Sequence, residues 1–362
     1  MNRRTALMKL ATLPIIALGL PAGAPSQSKG TDHMTDMPYR DVEANGLRMR
    51  IADRGTGPMV LLCHGFPETA YAWRHQIEAL SAQGYRVIAP DLRGFGGTDA
   101  TETVEAYALQ MLVGDMVALL DVLGVATAVI VGNDWGATLA WQAALLRPDR
   151  FKAVAAIGVP MMGQPPVPPT QVFPSTEDAL FYTLYFQEPG IAEAEFEQDV
   201  RTTLLKIFHA ASGEAGPRQP GDATPNPFAM VSRQNGLLAP LPMPARTPNW
   251  LTPSDLEAFV ADYTRSGFRG PLNLYRNLDC NWHLQKAFAG RTVEVPALYI
   301  AGSRDTGLTM PGMREIIAGQ SEFVPQLRDP VFLDGIGHWV PQERPDAVNE
   351  ALLTFLADVV QR

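Results

Sequence analysis

Apolar positions along this chain follow two periods that alternate. Leu47–Ala52 and Pro58–Cys63 read as strands, and Trp73–Gln83 reads as a helix closed by Gly84. Arg86–Ala89 is a short strand, and Glu105–Leu123 carries apolar residues at helical spacing up to a stop at Gly124. Ala126–Val131 is apolar on both faces, as a buried parallel strand should be. The spacing then predicts a helix over Trp135–Leu146, ended by Arg147-Pro148, and a strand over Val154–Ile157. Strands alternating with helices argue for an α/β fold with a mostly parallel, doubly wound sheet.

The alternation breaks after Ile157. Pro160–Thr170 is proline-rich, Glu177–Phe186 and Glu193–His209 predict helices, and Ala211–Asn249 is a long Gly/Pro/Asn stretch with little periodicity. Thr252, with Pro253 behind it, opens a helix to about Ser266, and Pro271–Leu278 begins another. Strand patterns return at Val295–Ala301 and Pro330–Leu333, and Pro345–Val359 predicts the last helix. Residues 39–160 and 272–362 are therefore expected to form one core. Residues 161–271 are expected to form an inserted helical lid over the carboxyl ends of its strands, where such sheets bind ligands.

Composition narrows this only slightly. The 362 residues are 46% hydrophobic and 19% charged, and the formal charge of −9 disfavours nucleic-acid binding, which needs a basic footprint. The start of the chain changes more. Arg3, Arg4 and Lys9 precede the apolar run Leu10–Leu20, and Ala22-Gly23-Ala24 follows as a cleavage signal. Residues 1–24 thus read as a secretory signal peptide and 25–38 as a flexible lead-in. Arg3-Arg4 before Thr5-Ala6-Leu7 resembles a twin-arginine export signal. The chain is expected to be periplasmic or secreted, with no stable membrane span once the leader is removed. Cys63 and Cys280 are the only cysteines, and their spacing supports neither a disulfide framework nor a zinc site.

The candidate chemistry sits at strand ends. Val129-Ile130-Val131 leads into Gly132-Asn133-Asp134-Trp135-Gly136, and a helix follows at once. Small residues at 132 and 136 suit a strained strand-to-helix turn that lifts residue 134 above the sheet. A carboxylate there is already ionised near neutral pH and can attack a carbon directly to form an ester. Taken alone, Asp134 could equally be a helix cap. Three further strand ends weigh against that. His64-Gly65-Phe66-Pro67 follows the strand ending at Cys63, and the backbone N–H groups of Phe66 and Trp135 could form an oxyanion hole. Ser303-Arg304-Asp305 and Gly337-His338-Trp339 follow two later strands. The order nucleophile 134, acid 305, histidine 338 is that of a nucleophile-elbow hydrolase. Asp334 competes with Asp305 for the histidine but lies close to it in sequence, so Asp305 is preferred.

With these residues assembled, the chain resembles the epoxide hydrolases of the α/β-hydrolase superfamily, from about Tyr39 to the C-terminus. His64-Gly65-Phe66-Pro67-Glu68, Asp91-Leu92-Arg93-Gly94-Phe95-Gly96 and the turn from Gly132 to Gly136 carry the resemblance, with Asn133 where many relatives have His. Tyr185-Phe186-Gln187-Glu188-Pro189-Gly190 and Pro271–Asn277 resemble the two lid tyrosine segments. The resemblance implies that Tyr185 and Tyr275 direct phenol groups at an epoxide oxygen. It further implies that Asp134 is the nucleophile, His338 the general base and Asp305 its orienting acid. The products would be vicinal diols made from a small-molecule epoxide and water, with no metal and no organic cofactor. It leaves room for a homo-oligomer. Two alternatives stay open at the level of residues. One is a haloalkane or haloacid dehalogenase using the same Asp134, with Trp135 near the halide. The other is a non-catalytic binding member of the fold.

Overall fold

The computed structural model describes residues 37–216 and 226–360. The expected signal peptide and most of the lead-in lie outside the described residues. Ten strands occur among the described residues: β1 (Tyr39–Ala44), β2 (Leu47–Arg54), β3 (Met59–Cys63), β4 (Arg86–Pro90), β5 (Ala128–Asn133), β6 (Phe151–Ile157), β7 (Ala179–Phe181), β8 (Met230–Ser232), β9 (Ala297–Gly302) and β10 (Val331–Leu333). Eight form one sheet in the order β1-β2-β4-β3-β5-β6-β9-β10. Only the β1–β2 and β2–β4 pairs are antiparallel. The expected mostly parallel sheet is therefore present.

Alternate residues of the central strands feed two cores, as a pleated strand covered on both faces requires. Helices α1 (Arg74–Ala82), α2 (Leu109–Val122) and α3 (Trp135–Leu146) follow β3, β4 and β5. Val60 and Leu62 of β3 pack with Ile77 and Leu80 of α1 on one face. Leu61 and Cys63 point the other way, toward Met116 of α2 and Leu139 of α3.

The sheet begins with a strand that sequence patterning missed. Tyr39–Ala44 pairs with Leu47–Ala52 through the two-residue turn Asn45-Gly46, and both turn residues have positive φ, 51° and 74°. Asn-Gly between alternating residues is a strong hairpin signal, because this turn's twist matches that of the strands. At this edge Arg40, Asp41 and Glu43 face solvent. At the other edge β10 is only three residues long, and Phe332 is exposed.

Between β6 and β9 the chain leaves the main sheet. It forms α4 (Tyr182–Tyr185), α5 (Ile191–Phe196), α6 (Val200–Ala211), α7 (Pro253–Ser266), α8 (Arg269–Arg276) and α9 (Leu278–Gln285). The helix expected over 177–186 is corrected. Residues 179–181 pair instead with β8, fifty residues later, and only one helical turn follows. The helix expected from Glu193 is also split, because Asp199 caps a new start by accepting from the Thr202 N–H. Helix α7 is pinned to β2 by the ion pair Arg50–Asp262 (2.6 Å) and to α1 by Arg74–Asp255 (3.1 Å). The chain then closes with α10 (Met313–Ala318), α11 (Val340–Glu343) and α12 (Pro345–Val359). Val348, Leu352 and Phe355 of α12 join the α1 face of the core.

Candidate active site

Four parallel strands, β3, β5, β9 and β10, deliver the site from their carboxyl ends, with β6 lying between β5 and β9. Asp134 stands between β5 and α3 at φ 54°, ψ −119°, a conformation that costs a non-glycine residue roughly 1–3 kcal/mol. The surroundings enforce it. A Cβ on Gly132 would strike the Gly136 carbonyl, and one on Gly136 would strike the Cys63 carbonyl. Helix α3 therefore approaches β3 and β5 at backbone distance, and the turn has no slack. A Cβ on Gly65 would meet the Asp134 carboxylate itself. The loop after β3 can thus lie directly against the nucleophile, and the Phe66 N–H donates to Asp134 Oδ1 at 2.8 Å. Trp135 is the first residue of α3, so its N–H has no acceptor within the helix.

The other carboxylate oxygen faces the histidine. His338 Nε2 lies 3.4 Å from Asp134 Oδ2, and His338 Nδ1 lies 3.0 Å and 3.1 Å from the two oxygens of Asp305. Burial opposes charge on this imidazole. Asp305 and Asp134 nevertheless outweigh it and hold the His338 pKa well above its ordinary value. Asp334 is exposed and accepts from the Ser303 hydroxyl instead. His64 has a different part. Its Nε2 accepts the Leu92 N–H at 3.0 Å, so Nδ1 carries the proton and donates to the Gly65 carbonyl at 2.9 Å. Burial also lowers its pKa, which keeps it neutral as a brace for the Gly65–Phe66 loop.

The lid tyrosines divide in a way the sequence did not anticipate. Tyr275 of α8 is buried against Phe66 and Trp135, with ring centroids 5.6 Å and 5.1 Å away. Burial raises its pKa well above the usual value, and the Asp134 charge adds to this. The nearby Trp135 side chain offsets part of that rise. Tyr185, expected to face the same point, does not. Its hydroxyl donates to Glu195 Oε2 at 2.8 Å, and that carboxylate also accepts the N–H groups of Leu237 and Leu238. Tyr182 lies three residues earlier, on the same segment. Its ring lies 5.8 Å from that of Tyr275, and its pKa is raised by burial and then by the charges of Asp134 and Asp305. Of these three, Tyr182 and Tyr275 feel the charge of the nucleophile and Tyr185 does not.

Sequence reasoning also passed over Glu68. This buried side chain accepts from Asn133 Nδ2 at 3.0 Å and from Gln342 Nε2 at 2.8 Å. Burial raises its pKa, and His338 and Asp134 are among the charges it senses. Asn133 thus ties the residue before the nucleophile to the loop after β3. Phe66, Phe186, Phe228 and Trp135 complete an apolar, aromatic surround, with Phe228 edge-on to His338 at 5.3 Å. Among the described residues no group of His, Cys, Asp and Glu could hold a metal ion.

Comparison with known proteins bears on what such a site does. Residues 58–345 match the family model of the alpha/beta hydrolase fold. The chain is 44% identical over 329 residues to Epoxide hydrolase A of Mycobacterium tuberculosis, covering 89% of this chain and 98% of that one. The chain belongs to the epoxide hydrolase family. Epoxide hydrolase 1 of Siraitia grosvenorii is 39% identical, with 89% and 99% of the two chains covered. Among solved structures, an epoxide hydrolase from an endophytic Streptomyces superimposes with a TM-score of 0.83 at 39% identity, over 88% of this chain and 95% of that one. This family membership also decides between the readings left open by the residues. It favours epoxide chemistry over dehalogenation and over a non-catalytic role.

Proposed function

We propose that this epoxide hydrolase works through a hydroxyalkyl ester on Asp134, with Tyr182 and Tyr275 as acids and His338 as base. The observation that carries the reading is the division of labour at one carboxylate. Asp134 Oδ1 is held by the Phe66 N–H, while Oδ2 faces His338 and lies within the field of the two phenols. Oδ2 attacks an epoxide carbon, a new C–O bond forms, and the ring C–O bond breaks. The alkoxide takes a proton from a lid tyrosine, which a second phenol assists by hydrogen bonding. Oδ1 becomes the ester carbonyl oxygen, already in the oxyanion hole. His338, oriented by Asp305, then takes a proton from water, and the hydroxide adds to the ester carbon. The bond from that carbon to Oδ2 breaks, the departing oxygen takes the proton held by His338, the new carboxyl group returns a proton to the tyrosinate, and the vicinal diol leaves. This chemistry calls on no metal or organic cofactor.

The oxygen added to the diol in this scheme comes from Asp134, not from solvent. A single turnover of styrene oxide in ¹⁸O-water should therefore give an unlabelled diol and leave the label in the Asp134 carboxylate. Mass analysis of both products reads the result, and full label in the first diol would sink the ester reading.

Residues 161–271 act in this scheme as the lid, which carries Tyr182, while Tyr275 stands just beyond it on α8. Export is a separate proposal, supported by the basic, apolar and small-residue order of the first 24 residues. The mature protein should begin near Pro25 when its N-terminus is sequenced. An intact Met1 on protein from a periplasmic fraction would contradict it.

A further inference from the structure

His338 sits in a stretch with little structure of its own. Between Leu333 and Val340 the chain runs through Gly335 and Gly337, and Asp305 fixes only the imidazole ring. The backbone is held from elsewhere. Glu343 Oε2 accepts the Gly337 N–H at 3.0 Å, and Oε1 accepts the Trp339 N–H at 3.0 Å. One carboxylate thus grips both neighbours of the histidine. The same Oε2 also accepts the Gly213 N–H at 2.8 Å, from the turn that follows α6 in the lid.

That turn is fastened to the histidine loop, and to Arg304 beside it, by further hydrogen bonds. The His338 N–H donates to the Ala211 carbonyl at 2.9 Å, and Arg304 Nη1 donates to the Gly213 carbonyl at 3.0 Å. The Trp339 indole donates to the Phe208 carbonyl of α6 at 2.8 Å. A Cβ on Gly213 would strike the Gly335 carbonyl, and one on Gly337 would strike Gly213. The two segments therefore meet backbone to backbone. Burial pushes the Glu343 carboxyl up to about 7 in spite of its three N–H donors. An enclosed carboxylate of this kind is costly to leave with any donor missing.

We propose that Glu343 is a positioning residue for ester hydrolysis, joining both backbone neighbours of His338 to Gly213 of the lid. His338 then stands over the ester only while this part of the lid is seated. The inference rests on the ester reading given above. It predicts unequal effects on the two half-reactions, because Asp134 and the phenols open the epoxide without needing the imidazole as base.

The test is rapid-quench measurement of ester formation and ester decay on styrene oxide, using the full chain. Three proteins are compared: wild type, Glu343→Gln and Gly213→Ala. The glutamine keeps one acceptor oxygen and turns an amide N–H against a backbone donor. The alanine disturbs the contact from the lid side and leaves Glu343 intact. Ester decay should slow about 10- to 100-fold in both variants, with ester formation changed less than about threefold, as expected for a sub-ångström loss of base placement. A general loss of fold would slow both steps alike. Equal slowing, or unchanged decay, in a folded Glu343→Gln protein overturns the proposal. If circular dichroism shows that variant unfolded, the Gly213→Ala protein decides by the same criterion. Absence of any ester in wild type would overturn the ester reading itself, and this inference with it.

Discussion

A His338→Gln enzyme should open one epoxide per molecule and then stop, with the ester left on Asp134. Its intact mass after exposure to styrene oxide should rise by the mass of one substrate. Steady turnover should fall about 10²- to 10⁴-fold, the range that a positioned base contributes. Sustained diol formation, or an unmodified protein that consumes no epoxide, would overturn the assignment. The reason lies in the charge around the imidazole. In the free enzyme burial disfavours its protonated form, but Asp305 and Asp134 together raise its pKa well above 6.5. Ester formation removes the Asp134 charge, and with it one of the two supports. His338 then gives up its proton when a base is needed. Multiple turnover should therefore fail on the acid side, where the ester-state imidazole stays protonated. The same raised pKa bears on stability. Its contribution is fully present below the unfolded value near 6.5 and is lost as pH rises through the native value.

The lid tyrosines give the second large effect. Replacing Tyr182 and Tyr275 together by Phe should slow ester formation at least about 10³-fold, since one preorganised oxyanion donor is already worth about 10²–10³. The fold should survive, because both rings stay to pack. Tyr185→Phe should leave ester formation within a few-fold and lower stability by about 1 kcal/mol, the net worth of one hydrogen bond to Glu195. Stopped-flow tryptophan fluorescence and thermal melts separate these outcomes. Rapid ester formation in the double variant, or its loss in Tyr185→Phe, would return the acid role to Tyr185.

That distinction shows where sequence reading runs out. Asp134, Asp305 and His338 are legible because each follows a strand whose end the apolar pattern marks, and the sheet brings those ends together. Tyr182 and Tyr185 lie three residues apart on one segment. Which of them faces the nucleophile depends on β7 pairing with β8 and on Glu195 from α5 claiming Tyr185. Both are tertiary events with no local signature. Glu68 and Glu343 are equally silent in sequence, since an acid in a loop or short helix is ordinarily solvated, and only folding reveals its enclosure. The first hairpin was legible but unread. Asn45-Gly46 announced it, and the alternating residues of β1 carried too few apolar positions to attract notice on their own.

The two borders of the main sheet have a consequence for the protein in a crowded solution. An unpaired strand offers a row of N–H and C=O groups on which another chain can build. At β1 the outward residues Arg40, Asp41 and Glu43 carry both signs of charge, and Arg40 is tied to Asp53 at 2.6 Å. At β10 the strand ends after three residues, too short a template for a foreign strand despite the exposed Phe332. The molecule thus guards one border by charge and the other by brevity, and neither invites edge-to-edge growth toward fibrils.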